Sequence, residues 1–103
     1  MLRQPGLPDP LPPLIAEFIE TAENRMDEIQ SSIVSHDATI LERAAHSLRG
    51  SAGGIGALRL SALAAELEED ARQNSLHRAA DLLSQMESEF TSVRHALEFE
   101  RER

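Results

Sequence analysis

The sequence predicts an all-α fold, an up-and-down antiparallel four-helix bundle, on three observations. Four segments carry apolar residues at spacings of threes and fours, the repeat of one helix face. Between them stand short clusters of helix-ending residues, at Ser35-His36-Asp37, at Gly53-Gly54 with Gly56, and at Asn74-Ser75. No stretch shows the period-two alternation of a half-buried strand. Four amphipathic helices joined by short turns bury their stripes by packing antiparallel.

Taken in order, Met1 to Pro13 hold all five prolines, which oppose regular structure and predict an extended lead-in or linker over residues 1–11. The domain itself is expected over residues 12–99. Its first helix begins near Pro12 or Pro13, since proline suits a first helical turn. It presents Leu14, Ile15, Phe18, Ile19, Ala22, Met26, Ile29 and Ile33 on one face. Asp37 is placed to cap the second helix, expected from Ala38 to Ile55. The third should start near Leu58, show Leu60, Leu63, Ala64, Leu67 and Ala71, and stop around Asn74. The fourth, from about His77 to Phe99, offers Ala80, Leu83, Met86, Phe90, Val93 and Leu97, and residues 100–103 are expected to fray.

With 103 residues the chain can build one core. Aromatics make up only 3%, so the core must be layered from Ala and Leu, which lets helices approach closely. There is no cysteine, which excludes a disulfide framework and a thiolate zinc site and is compatible with a reducing cytoplasm. The net charge of −8 argues against nucleic-acid binding. No apolar run approaches the roughly 20 residues of a membrane span, so no direct membrane contact is expected. Met1-Leu2-Arg3 runs into prolines rather than an apolar segment, so no signal peptide is expected.

The second helix carries the unusual stretch. On a helical wheel Leu41, Ala44, Ala45, Leu48, Ala52 and Ile55 share one side, while His46, Gly50 and Gly53 face the other, flanked by Arg43 and Arg49. Glycine inside a helix costs about 1 kcal/mol relative to alanine, so two of them beside one imidazole point to a need for close access to the ring. Arg49, three residues on, can bring positive charge to the same spot. A neutral imidazole is a competent nucleophile near pH 7. The arrangement suits a histidine that receives an anionic group.

These residues carry a resemblance. His46-Ser47-Leu48-Arg49-Gly50-Ser51-Ala52, continuing to Ile55-Gly56-Ala57 and preceded by Ala45, resembles the phosphorylation motif of histidine phosphotransfer (HPt) domains. The chain departs from the usual pattern once, with Arg49 in place of lysine, a planar fork instead of a point charge. The resemblance implies that His46 is the phosphoacceptor, Arg49 supports the phosphate charge and Gly50 gives access to the ring. Arg43, Ser47 and Gly53 are candidates for contact with a partner. It also implies that the aspartate and the Mg²⁺ belong to partner receiver domains, of response regulators or of a hybrid sensor kinase, which dock over the helix bearing His46.

The chain has no phosphate-cradling loop followed by Lys-Ser/Thr and no metal-ligand spacing, so no cofactor of its own and no kinase activity are expected. The expectation is a monomeric, passive carrier in a two-component phosphorelay, cytoplasmic either on its own or as the cytoplasmic end of a membrane-bound hybrid kinase. Its alternative is a helical interaction module that sequesters a partner without phosphotransfer. The nearest acid to His46 in helical register is Glu42, and the run Glu66 to Asp70 is expected to be a solvated face. His36, His77 and His95 have no comparable setting and form no i, i+4 pair.

Overall fold

The computed structural model describes residues 9–102. The described residues form four helices, α1 (Leu11–Val34), α2 (Ala38–Gly54), α3 (Leu58–Arg72) and α4 (Ala79–Arg101), and no strand. Each helix packs on its chain neighbours, and α4 closes the ring against α1. The direction of packing is written in cross-helix pairs. Glu42 meets Arg72 while His46 meets Glu68, and Asp70 meets Arg78 while Arg59 meets Glu89. Rising numbers on one helix oppose falling numbers on the next, so the bundle is antiparallel.

The helix starts and stops have local causes. Asp37 caps α2, its Oδ1 accepting a hydrogen bond from Ile40 N at 3.0 Å. Asp9 Oδ1 similarly accepts from Leu11 N at 3.0 Å at the head of α1. Three helices end in the same double hydrogen bond. At the end of α1, His36 N donates to Ile33 O and Asp37 N to Ser32 O; Gly56 with Ala57, and Asn74 with Ser75, repeat this after α2 and α3. The pattern requires a left-handed residue just past the helix, and His36, Gly56 and Asn74 have φ of 56°, 84° and 55°.

The core runs the length of the bundle, with Ile15, Ile29, Leu41, Leu48, Leu60, Leu67 and Met86 fully buried. Phe18 of α1 and Phe90 of α4 meet edge to face, their centroids 6.4 Å apart. Against the expected elements, α1 already includes Leu11, and the lead-in over residues 1–8 lies outside the described residues. α2 stops at Gly54, with Ile55 as its C-cap. α4 starts at Ala79 and runs on through Arg101, so Glu100 and Arg101 are helical. Its buried stripe is Ala79, Leu82, Leu83, Met86 and Phe90, with Ala80 exposed. Taking Ala79 as the first position gives spacings of 3, 4 and 7, which Ala80 does not.

Candidate functional site

α2 is fixed by burying Leu41, Ala44, Ala45, Leu48 and Ala52 against its neighbours. That rotation leaves Arg43, His46, Arg49, Gly50 and Gly53 on the exposed side. The His46 side chain is 63% exposed. A side chain at Gly50 would meet no atom within 4 Å, so nothing inside the domain requires glycine there. Gly53 faces α3, where a Cβ would stand 3.4 Å from Ser61 Oγ, and that hydroxyl donates to the carbonyl of Arg49 at 2.9 Å. Ser47 is half-buried at the edge of the face.

The acid beside the imidazole comes from α3. Glu68 Oε2 lies 2.7 Å from His46 Nδ1, while Glu42 is turned to Arg72 at 3.3 Å. Nor is Glu68 solvated as expected for its acidic run: it is 3% exposed. Glu66, Glu69 and Asp70 do fit the expectation more closely, pairing at the surface with Arg78, Arg72 and Arg78 respectively. Glu68 departs because it falls on the buried stripe of α3, in register with Leu60, Leu63, Ala64, Leu67 and Ala71.

A buried carboxylate must be compensated, and three residues compensate this one. His46 and Arg72 both reach Oε2, at 2.7 and 3.1 Å, and Arg49 Nη1 lies 3.2 Å from Oε1. The Arg49 contact lacks the alignment of a hydrogen bond and is an ion pair. Arg72 also holds Glu69 at 2.8 Å. Its guanidinium is pushed further into the charged form, first by the hydrogen bond to Glu42 and then by the charge of Glu69, with Glu68 adding to both.

This network fixes the role of the inner ring nitrogen. A carboxylate oxygen accepts only, so the 2.7 Å contact requires the proton on Nδ1. Arg49 Nη2 stands 3.3 Å from the same Nδ1, and with that nitrogen already protonated its contribution there is charge. Nε2 has no hydrogen-bond partner among the described residues, and in the neutral ring with Nδ1 protonated it is the nitrogen that carries the lone pair. The site therefore presents one oriented, outward ring nitrogen, backed by a carboxylate and flanked by a guanidinium.

Two open grooves border this face. Thr39, Glu42, Arg43, His46, Glu68 and Arg72 line one, between α2 and α3. The other, about 240 Å³, lies between the start of α1 and the end of α2 and is lined by Leu14, Glu17, Phe18, Thr21, Ser51, Gly54 and Ile55. Leu14 was expected on the core face of α1 but is 50% exposed, forming part of this groove. His36, His77 and His95 are exposed and apart from the site. Among the described residues no group of three or more His, Cys, Asp or Glu is placed to hold a metal ion, and no helix is long and apolar enough to cross a membrane.

Comparison with known proteins bears on the same stretch. The family model of the Hpt domain matches residues 13–96. Among solved structures, the chain is similar to histidine-containing phosphotransfer protein B (HptB) from Pseudomonas aeruginosa PAO1, with 34% identity, 98% of each chain covered and a TM-score of 0.88. No curated protein matched the sequence. A helical bundle that exposes one oriented imidazole, matched over most of its length by the family model, is a histidine phosphotransfer module of a phosphorelay: the chain belongs to the Hpt domain family.

Proposed function

We propose that His46 is the phosphoacceptor and that its Nε2 is the reacting nitrogen. The observation that supports this is the 2.7 Å contact of Nδ1 with Glu68: with the inner nitrogen donating its proton there, the lone pair of the neutral ring stands on the outer one. Proteins of this family exchange phosphate with receiver domains and act as carriers, not kinases. In the forward step the Nε2 lone pair attacks the phosphorus of a receiver's aspartyl phosphate. The N–P bond forms as the bond from phosphorus to the aspartate oxygen breaks, and the carboxylate leaves with that electron pair. No proton moves, because Nδ1 keeps its own. The ring becomes a cation as the phosphoryl group arrives, and Glu68 lies where that charge develops. Transfer onward is the reverse, with a second receiver's aspartate as nucleophile.

Arg49 has two places to act. It pairs with Glu68 in the unphosphorylated protein and, one helical turn from the ring, can reach a phosphoryl group on Nε2. Gly50 leaves the approach to the ring open. We assign Mg²⁺ to the receiver, since the two carboxylates that share the groove with His46, Glu68 and Glu42, are both engaged by arginines. The groove between Leu14, Phe18 and Ile55 offers the apolar part of a docking surface on the same side as Gly54. We take the domain to work as a monomeric carrier in the cytoplasm, forming short-lived complexes. Nothing observed favours a docking module without phosphotransfer.

The test is to incubate the wild-type domain and His46→Gln with phosphorylated receivers and look for acid-labile, base-stable phosphate. Label on the wild type alone is the expected result. Label retained by His46→Gln would place the acceptor elsewhere.

A further inference from the structure

We propose that Arg43 selects the partner: it pairs with an acidic side chain on the receiver, beside the receiver's phosphorylatable aspartate, and so favours receivers with an acidic rim. The inference rests on the phosphocarrier reading of His46 and adds a determinant of specificity to it.

Charge singles out Arg43. The protein has 18 acidic residues against 10 basic ones, so carboxylates are in excess everywhere. Accordingly Arg25, Arg49, Arg59, Arg72, Arg78 and Arg94 each lie within 4.0 Å of one. Arg43 does not, although it is exposed and free to reach. Its helical neighbours three and four residues away are Thr39, Ile40, His46 and Ser47, none of them acidic. Glu42, beside it in the chain, is held by Arg72. Arg101 also has no carboxylate partner, but it stands at the far end of α4.

Location turns an unpaired cation into a determinant. Arg43 precedes His46 by three residues, about 4.5 Å along the helix axis, and both line the same groove. On the other side of His46, past Gly50, lies the apolar groove of Leu14, Phe18 and Ile55. The face is thus polar in the literal sense, ionic toward the start of α2 and apolar toward its end. A receiver carrying an acid on one side of its aspartate and an apolar side chain on the other fits in one direction only. A receiver brings an anionic aspartyl phosphate, which a body of net charge −8 repels, and a free guanidinium beside the target offsets that repulsion at close range. Arg43 makes no hydrogen bond to the ring, so its effect belongs to encounter and docking and leaves the transfer step itself alone.

The experiment measures initial transfer rates from receiver domains loaded with acetyl phosphate, over a range of receiver concentrations, for wild type, Arg43→Ala and Arg43→Glu. Ser84→Glu, on the exposed side of α4, changes net charge by the same single unit as Arg43→Ala and serves as the control. At low salt, Arg43→Glu should raise KM by about tenfold with kcat nearly unchanged, Arg43→Ala less, and Ser84→Glu hardly at all. The differences should close as salt approaches about 0.5 M. Reversing the matching acid on the receiver to arginine should restore transfer with Arg43→Glu. Equal KM for wild type and Arg43→Glu, or an equal rise with Ser84→Glu, would overturn the inference while leaving the carrier reading intact. A fall in kcat at constant KM would also overturn it, by placing Arg43 in the chemistry. Failure of the wild type to accept phosphate from any receiver would overturn the carrier reading, and this inference with it.

Discussion

Replacing Gly50 should move stability and function in opposite directions. In a helix interior alanine is favoured over glycine by about 1 kcal/mol, and here the new methyl group meets no atom within 4 Å, so no clash subtracts from that gain. For a domain of this size 1 kcal/mol corresponds to roughly 4–8 °C in the melting temperature. Gly50→Ala should therefore melt higher, followed by circular dichroism. Helical side chains lean toward the helix N-terminus, so a residue at position 50 covers the surface above His46, one turn back. Gly50→Gln would place a long side chain over the approach to Nε2. Crowding a packed contact costs about 1–3 kcal/mol, which predicts a loss of about tenfold to a hundredfold in kcat/KM for transfer from a phosphorylated receiver. The fold should be intact in both variants. If Gly50→Ala melted lower, the fold would need the glycine; if Gly50→Gln transferred at the wild-type rate, the access argument would be refuted.

Other positions separate the parts of the account. Glu68→Ala should slow transfer by about tenfold to a hundredfold, the worth of a hydrogen bond to a charged group, and nitrogen chemical shifts should show the His46 proton redistributed between the two ring nitrogens. Asp37→Ala removes the α2 cap and should lower stability by about 1 kcal/mol with no change in transfer, as judged by urea melts beside kinetics. His36→Gly relieves a left-handed histidine and should raise stability by about 0.5–1 kcal/mol; a lower melting point would show that the imidazole contributes to the turn. Leu48→Ala, at a fully buried position beside the site, should cost about 2–5 kcal/mol and reduce transfer only through the unfolded fraction.

Much of the fold was legible because it is written in short-range signals. Apolar spacing and the breaks at His36-Asp37, Gly56 and Asn74 mark the helices to within a few residues. The exposed face of α2 follows from its buried one, which is why His46, Arg49 and Gly50 could be found on a wheel. Glu68 could not be found that way, since its meeting with His46 joins two helices across 22 residues of chain and depends on how α3 is rotated. A signal was nonetheless present. Glu68 follows Leu67 and stands four residues after Ala64, in register with an apolar stripe, and a carboxylate in that register needs a compensating partner. Its place within an acidic run hid it. The shift of the α4 stripe from Ala80 to Ala79 has a similar origin: adjacent alanines give no contrast, and packing against α1 and α3 decides between them.

The measurement that bears most directly on the central claim is a ¹⁵N spectrum of the ring nitrogens of His46, recorded before and after phosphorylation by a receiver. The account predicts a protonated Nδ1 and a bare Nε2 at the start. After transfer it predicts phosphorus coupling at Nε2, with the proton still on Nδ1 and donated to Glu68. Coupling at Nδ1, or phosphate on any residue other than His46, would contradict it.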